Sequence, residues 1–304
     1  MNSLSINDFH TMPNDFPDLD VYAVVGNPIA HSKSPVIHQR FAEQAKQKMH
    51  YGRIQAELGD FAKVAKSFFA AGGMGLNITI PFKLDAQAFA EVLTPRAQLA
   101  GAVNTLYRQN SQIFGDNTDG AGLVRDLLAQ GLQLRGARIL LLGAGGAARG
   151  AMGPLLEQSP KQLIIANRSS AKANDLAQLF GGLAKTNGVE LASSTLNELE
   201  DPKKGHTPFE LVINATAAGL SGESPLSAQA ADNIFIPSSF AYEMVYGKST
   251  AFMQQALQRG ARVSDGLGML VEQAADAFLI WRGAKLNLMI DPRSVLAKLR
   301  HSCD

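Results

Sequence analysis

Residues 137–156 read ARILLLGAGGAARGAMGPLL: a short apolar run, a cluster of glycines and then a helical pattern of small and apolar residues. The apolar run at 139–142 has the length of a buried strand, and the glycines after it indicate a tight turn into a helix. Residues 143–148 fit the pattern GxGxx(G/A), which opens dinucleotide-binding βαβ units. The stretch therefore predicts a doubly wound α/β sheet with a nucleotide at this turn.

Each small residue of the turn has a physical role in such a site. Gly143 permits the tight turn, Gly145 lets backbone N–H groups approach a pyrophosphate, and Ala148 allows close packing of the helix on the strand. A purely structural turn can also use glycines, so the motif alone leaves both interpretations open. The strand before it and the helix after it favour the nucleotide.

The end of the next predicted strand indicates which nucleotide binds. Asn167, Arg168 and Ser169 are followed by Lys172, and no acid lies between 163 and 174, where an NAD site usually has one. Two cations would bind a 2′-phosphate through charge-assisted hydrogen bonds worth about 1.5–3 kcal/mol each. A solvated pair of cations is the alternative, but the helix dipole disfavours cations at a helix start unless an anion joins them. The sequence predicts NADP.

Composition limits the class of protein. A chain of 304 residues suggests about two domains. With 46% apolar and 18% charged residues it can bury a core. The net charge of +1 and the absence of a basic run argue against a general nucleic-acid binder, so we expect no nucleic-acid partner.

Cysteine use and the composition of the termini predict the compartment. The single cysteine, Cys303, can form no intrachain disulfide and has no zinc-ligand spacing around it, so we expect no metal and a reducing environment. Residues 1–19 lack the basic start and apolar core of a signal peptide, and no run of ~18 apolar residues indicates a membrane span. We expect a soluble, cytoplasmic protein with no membrane partner, in which residues 1–19 form a flexible extension.

Strand and helix patterns alternate along the chain, which indicates parallel α/β construction. Before residue 120 we predict strands within 21–26 and 72–80, and helices over 35–48, 60–71 and 84–93. After a connecting helix over 122–132, we predict strands within 137–142, 162–169, 209–219 and 238–246, and helices over 249–259 and 267–282. The order of these elements places a domain boundary near residue 120.

Polar residues concentrate at strand ends of the first domain, in GNPIAHSKSP (26–35), NITIPFK (77–83), GAVNT (101–105) and GDNTDG (115–120). Taken singly, each has a structural explanation. Ser34 before Pro35, for example, is a good helix N-cap.

The stretch NITIPFK predicts a polar strand face. The alternation of a strand puts Asn77 and Thr79 on one face, with Ile78 and Ile80 packed behind. The proline at position 81 ends the strand, so that Lys83 can turn toward the same polar face. A face of this kind is expected to bind a ligand or to lie at an edge of the sheet.

Taken together, these stretches resemble the shikimate dehydrogenase family. From about Val21 to Arg282 the chain carries, in order and at compatible spacing, the motifs PIxHSxSPxxH, NxTxPxK, AVNT, DNTDG, GAGGA, NR(T/S), NAT and DGLGMLVxQAA. The resemblance implies two α/β domains with a cleft between them: an N-terminal substrate domain and a Rossmann-type NADP-binding domain. It also implies that the C-terminal helices return to the first domain, which then comprises 20–120 and 266–304, with the NADP domain at 121–265.

The family's reaction would be the reversible reduction of 3-dehydroshikimate to shikimate by NADPH, a step of chorismate and aromatic amino acid biosynthesis. The resemblance implies a substrate site formed by Ser32, Ser34, Asn77, Thr79, Asn104, Tyr246 and Gln273. The two serines would bind the carboxylate, and the three amides the ring hydroxyls. A ligand rich in hydroxyls needs many such groups, since an unpaired one costs about 1–3 kcal/mol.

The resemblance also assigns the residues that would bind the cofactor. The pyrophosphate would contact Gly143, Ala144, Gly145, Gly146 and Ala147, and the adenosine phosphate Asn167, Arg168, Ser169 and Lys172. The nicotinamide side would be lined by Thr216, Met244, Gly266 and Met269. For the two methionines, a role as core-filling residues is a strong alternative interpretation. Lys172 stands where the family often has Arg. The lysine keeps the positive charge but lacks the two-pronged guanidinium that binds phosphate through paired hydrogen bonds.

Lys83 and Asp119 are the catalytic residues that the resemblance implies. Hydride transfer to a carbonyl builds negative charge on oxygen, and a nearby ammonium can stabilise it and donate the proton. The reverse reaction needs a neutral lysine, which burial would favour and an ion pair with Asp119 would oppose. Lys83 is therefore either a full acid/base or an electrostatic stabiliser and proton donor, with Asp119 orienting it.

Three other functions remain as alternatives. A quinate/shikimate dehydrogenase that also uses NAD is the nearest, and the missing acid after the second strand speaks against it. Folate-linked methylene dehydrogenases share the two-domain plan but have no reason to carry HSKSP and DNTDG together. A nucleotide-sensing regulator without turnover is disfavoured by the intact pair of Lys83 and Asp119. We expect a monomer or a homodimer.

Overall fold

The computed structural model describes residues 9–201, 208–283 and 289–301. The chain forms two compact units, one comprising Met1–Gly122 with Leu270–Asp304, the other Leu123–Met269. The first unit is thus assembled from two separated stretches of the chain, because the second unit is inserted between them.

The first unit contains a six-stranded sheet with the order β2-β1-β3-β5-β6-β4. Its strands are β1 (Asp20–Gly26), β2 (Met49–Gln55), β3 (Gly75–Ile78), β4 (Val92–Leu93), β5 (Thr105–Gln109) and β6 (Gln112–Asp116). β1 pairs in parallel with β2 and β3, but β5 runs antiparallel to both β3 and β6. The predicted parallel construction is therefore wrong for this part of the sheet.

The antiparallel pairing arises from a hairpin. β5 and β6 are joined by Asn110 and Ser111, with φ of 50° and 67°. Two consecutive residues with positive φ form a type I′ turn, whose twist matches that of the paired strands. The Asn-Ser pair lacks the glycine that usually marks this turn, so the sequence gives little sign of the hairpin.

Helices pack on this sheet. They are α1 (Ser34–Gln44), α2 (Phe61–Ala70), α3 (Lys83–Phe89) and α4 (Pro95–Ala100), and α12 (Pro292–His301), from the end of the chain, packs against α1. The helices predicted over 35–48 and 84–93 end earlier than expected. The backbone leaves helical geometry at Lys46, with φ of 51°, and at Ala90, which is extended, so that β2 and β4 can join the sheet.

The segment before β1 is packed rather than loose. The backbone N–H of Thr11 donates to Arg53 O at 3.2 Å, and the Thr11 side chain is so close to Gly52 that a Cβ there would overlap it. The Phe16 ring stacks on His50 with centroids 3.6 Å apart. The predicted flexible extension is therefore wrong for residues 9–19, and residues 1–8 lie outside the described part of the chain.

The second unit is a doubly wound sheet, as predicted. Its strands are β7 (Arg138–Leu142), β8 (Gln162–Asn167), β9 (Glu190–Thr195), β10 (Leu211–Asn214), β11 (Phe240–Glu243) and β12 (Arg262–Asp265). The order is β12-β11-β10-β7-β8-β9, and each neighbouring pair is parallel. The direction of winding reverses between β7 and β10, and in such sheets ligands bind at the carboxyl ends of the strands beside this point.

The helices of the second unit follow its strands. They are α6 (Gly146–Glu157), α7 (Ser170–Thr186), α8 (Ala218–Ser221), α9 (Ala228–Ile234) and α10 (Ala251–Gln258). Two further helices, α5 (Asp119–Ala129) and α11 (Leu267–Phe278), contain the positions where the two units divide. Within the described ranges, no helix is both long and apolar enough to cross a lipid bilayer.

Candidate active site

Lys83 and Asp119 form an ion pair in the first unit. Lys83 is the first residue of α3 and Asp119 the first of α5, and Lys83 Nζ lies 2.5 Å from Asp119 Oδ2. The lysine side chain is 25% exposed and that of the aspartate 9%. The pair thus combines a carboxylate enclosed by protein with a partly exposed lysine side chain.

Asn104 holds the other oxygen of Asp119. Its Oδ1 accepts a hydrogen bond of 2.9 Å from the backbone N–H of Thr118. A backbone N–H can only donate, so the carboxamide nitrogen must face the other way, and Nδ2 donates to Asp119 Oδ1 at 2.8 Å. The same Nδ2 lies 3.2 Å from Gln273 Oε1. The structure brings these predicted residues into one buried cluster with Lys83.

Asn77 extends the cluster. It is buried in β3, and its Nδ2 lies 3.2 Å from Thr105 Oγ1, which donates to Asn104 Oδ1 at 2.9 Å. A continuous chain of hydrogen bonds therefore runs from Asn77 to the carboxylate of Asp119.

Thr79 lies just beyond β3. Its backbone N–H donates to Val25 O at 3.0 Å, which continues the pairing with β1 by one residue. Ile80, expected to pack behind the strand, is 61% exposed. That part of the prediction is wrong, because the strand ends at Ile78 and its alternation does not continue toward the proline.

The two serines lie together at the start of α1. Ser34 is the first residue of the helix, not its N-cap; Lys33 holds the capping position, and its side chain does not accept a capping hydrogen bond. The Ser34 side chain is buried and bonded to the hydroxyl of Tyr51, and its backbone N–H donates to Ser32 Oγ at 3.3 Å. Arg53 donates to the carbonyl oxygen of Ser32 at 2.7 Å and so holds this loop.

The hydrogen bonds identify further residues of the site, beyond those predicted from the sequence. Thr105 and Thr118 lie inside the AVNT and DNTDG stretches, and His38 is the second histidine of PIxHSxSPxxH, so each carried a motif signal. Tyr51 carried none, because a lone tyrosine in a strand is usually a core residue. Its hydroxyl donates to Asn77 Oδ1 at 2.8 Å and joins Asn77 to Ser34.

The glycine turn of the second unit has room for a ligand. Gly143 has a φ of 107°, the left-handed region that favours glycine, and an added Cβ would lie 3.1 Å from the methyl of Thr216. At Gly145 and Gly146 no atom lies within 4 Å of an added Cβ, so the space above the start of α6 is open. Backbone N–H groups at a helix start bind phosphate. The turn, which includes Ala144 and Ala147, therefore fits a pyrophosphate.

The end of β8 presents cations. Ser169 is the N-cap of α7, where its Oγ accepts from the backbone N–H of Lys172 at 3.4 Å, and the side chain of Asn167 donates to Ser169 O at 3.1 Å. Arg168 and Lys172 are exposed, and neither takes part in an ion pair among the described residues. This arrangement fits an anionic group on the adenosine.

Thr216 is held beside the glycine turn by a buried network. Its hydroxyl donates to Asn214 Oδ1 at 2.7 Å, and Asn214 Nδ2 donates to Glu243 Oε2 at 2.8 Å. The same carboxylate oxygen accepts from Thr250 Oγ1 at 2.9 Å. Burial raises the pKa of Glu243, although the hydrogen bonds that it accepts favour the charged form.

The other predicted residues of the nicotinamide side lie near this network. The backbone N–H of Met244 donates to Asn214 O at 3.1 Å. Gly266 approaches the carbonyl of Met244 so closely that a Cβ would lie 2.2 Å from it. Met269 donates its backbone N–H to the Tyr242 hydroxyl at 3.2 Å. Tyr246, predicted to contact the substrate, follows β11 in the second unit and is partly buried.

Two family models match the chain. One describes the shikimate dehydrogenase substrate binding domain and matches residues 24–106, and the other describes shikimate / quinate 5-dehydrogenase and matches residues 126–219. The first covers Lys83 and Asn104, and the second covers the glycine turn.

Relatives named shikimate dehydrogenase (NADP(+)) match over nearly their full length. The shikimate dehydrogenase (NADP(+)) of Vibrio atlanticus is 49% identical over 94% of this chain and 98% of its own. That of Marinobacter nauticus is 52% identical over 88% and 94%. A solved structure of shikimate 5-dehydrogenase from Thermus thermophilus, in complex with NADP(H) and shikimate, has a TM-score of 0.79 and 32% identity, covering 93% of this chain and 99% of that one.

Proposed function

Because this chain belongs to the shikimate dehydrogenase family, we propose that it catalyses the reversible, NADPH-dependent reduction of 3-dehydroshikimate to shikimate. The observation that supports this most directly is the cluster of Lys83, Asp119, Asn104 and Gln273, which combines an ammonium, a carboxylate and two amides. These groups suit a small polyhydroxylated acid with a carbonyl that must receive a proton.

The proton comes from Lys83. As hydride reaches the carbonyl carbon, the carbonyl oxygen gains negative charge, and the ammonium stabilises that charge and donates a proton to it. Asp119 keeps the ammonium in place, while Asn104 keeps the carboxylate from turning. The lysine side chain is 25% exposed, so water can return the proton after each turnover.

NADPH would supply the hydride. The open glycine turn and the start of α6 would hold its pyrophosphate, and Arg168 with Lys172 its 2′-phosphate. Thr216, fixed by Asn214 and Glu243, would line the nicotinamide side. The cytoplasm is the compartment we propose, because the single cysteine fits a reducing environment.

The direct test is oxidation of shikimate. Purified protein mixed with shikimate and NADP⁺ is expected to produce the absorbance band of reduced nicotinamide, and quinate or NAD⁺ should give a much smaller kcat/KM. If shikimate gives no absorbance change with either NADP⁺ or NAD⁺, the proposed function is contradicted.

Ser32→Ala is expected to raise the KM for shikimate about tenfold or more, because a hydrogen bond to a charged carboxylate contributes about 1.5–3 kcal/mol. The kcat should change far less, since the hydroxyl does not take part in proton transfer. Ser67→Ala, an exposed serine of α2, is the matched control. A KM equal to that of the wild type would remove Ser32 from the carboxylate site.

Replacing Arg168 and Lys172 together by Gln is expected to lower the ratio of kcat/KM for NADPH to that for NADH by about 100-fold or more, through loss of two charge-assisted hydrogen bonds. A double Gln variant of Lys161 and Lys185 changes the net charge equally. Both of these lysines are exposed, and they lie at the other ends of β8 and α7. If the two double variants shift the ratio equally, Arg168 and Lys172 do not bind the phosphate.

A further inference from the structure

His38 and Tyr51 share one hydrogen-bond acceptor. The Tyr51 hydroxyl donates to Asn77 Oδ1 at 2.8 Å, and His38 Nε2 lies 3.1 Å from the same oxygen. Both side chains are buried, and their rings stack with centroids 4.1 Å apart and planes 7° from parallel. An amide oxygen has two lone pairs, so these two groups can saturate it.

The opposite side of Asn77 fixes the orientation of its carboxamide. Its Nδ2 lies 3.3 Å from the backbone carbonyl oxygen of Asn104, which can only accept. With the nitrogen on that side, the oxygen must face His38, which therefore carries its proton on Nε2. The other ring nitrogen, Nδ1, is buried and has no hydrogen-bond partner within the described residues, as an unprotonated nitrogen allows.

Asn77 consequently presents only N–H donors toward Asn104 and Thr105. The two contacts on that side are 3.3 and 3.2 Å, longer than the usual distance of about 2.9–3.0 Å. These donors are loosely paired, so a better acceptor can compete for them. A ring hydroxyl oxygen of shikimate is such an acceptor, and this step rests on the proposed function.

We propose that His38 and Tyr51 are positioning residues that fix Asn77 as a hydrogen-bond donor to a ring oxygen of the substrate, and that they thereby set substrate affinity rather than turnover. The second half of the proposal follows from Asn104. Its carboxamide is oriented independently by the backbone N–H of Thr118. Loss of either ring donor therefore leaves the pair of Lys83 and Asp119 in place.

The experiment compares Tyr51→Phe, His38→Phe and His38→Gln. The two phenylalanine variants keep an aromatic ring in the stack and lose the donor, whereas the glutamine amide restores an N–H near the Nε2 position. We expect each phenylalanine variant to raise the KM for shikimate about tenfold, the effect of roughly one hydrogen bond, with kcat and the KM for NADP⁺ within about twofold of the wild type. His38→Gln should recover most of the affinity.

Several outcomes would overturn the proposal. An unchanged KM for shikimate in both phenylalanine variants would do so, as would a fall in kcat without a change in KM, or a glutamine variant no better than phenylalanine. Thermal unfolding at neutral pH checks that each variant is folded. If His38→Phe does not fold, Tyr51→Phe, which removes a single oxygen, decides the question alone.

Calorimetric titration with shikimate separates this proposal from the proposed function. A wild-type protein that neither binds nor oxidises shikimate contradicts the function itself. A wild type that binds and oxidises it, with variants that bind equally tightly, contradicts only the positioning role of His38 and Tyr51.

Discussion

Lys83→Ala is expected to lower the kcat for shikimate oxidation by about 100-fold or more, the usual contribution of a general acid or base, with a smaller change in KM. The reason is the position of Lys83 Nζ, which lies 2.5 Å from Asp119 Oδ2 at the end of a partly exposed side chain. Steady-state kinetics at saturating NADP⁺ provide the measurement. Lys63→Ala, an exposed lysine of α2, controls for the loss of charge.

Lys83→Arg tests whether the rate depends mainly on proton transfer by Lys83 or on its positive charge. Arginine keeps the positive charge but does not give up a proton near neutral pH. If Lys83 acts mainly as a proton donor, the arginine variant stays close to the alanine variant in kcat. If charge stabilisation dominates, arginine recovers most of the rate. Near-normal turnover of Lys83→Ala would remove this lysine from catalysis altogether.

On acidification between pH 6.5 and about 3, the wild-type protein is expected to lose stability more steeply than His38→Phe. Burial lowers the pKa of His38 from 6.5 to about 3, although the hydrogen bond with Asn77 opposes the shift. In this interval the unfolded chain binds a proton at His38 and the folded protein does not. The free energy of unfolding therefore decreases as the pH is lowered. His38 contributes at most about 1.4 kcal/mol to this decrease per pH unit.

Urea unfolding at several pH values between 7.5 and 4.5 measures this slope. The comparison concerns the slope and not the stability at one pH, since the ring replacement also changes packing. His50, whose pKa burial also lowers, is present in both proteins and cancels in the difference. Parallel pH dependences for the wild type and His38→Phe would show that His38 is not held neutral in the folded state.

The parts of the fold that could be predicted carry local signals. Gly143 needs a positive φ and stands between an apolar strand and a helix, so the turn could be predicted from residues 143–148 alone. β2 was not predicted, because MHYGRIQ neither alternates nor forms an apolar run. The segment is extended because it pairs with β1 on one side, and because Ile54 pairs with His10, which precedes β1. The turn at Asn110 and Ser111 was missed because its usual glycine is absent.

The candidate site likewise contains residues that could be predicted from the sequence and residues that could not. Lys83, Asp119, Asn104 and Gln273 could be selected because they lie in motifs, and the structure brings them together. The contribution of Tyr51 could not be predicted, because its hydroxyl meets Asn77 from another strand. Only the pairing of β2 with β1, and of β1 with β3, brings that hydroxyl to the amide.

The close approach of Gly219 to Glu243 restricts how these two positions can vary. A Cβ at Gly219 would lie 3.0–3.3 Å from the carboxylate of Glu243. The glutamate carboxylate thus takes up most of the space that a side chain at position 219 would need. A shorter aspartate at position 243 would leave space for alanine at position 219, whereas Glu243 would have to shift by a few tenths of an ångström to admit it. We therefore expect these two sites to exchange residues as a correlated pair during divergence, with glycine retained wherever the larger acid is present.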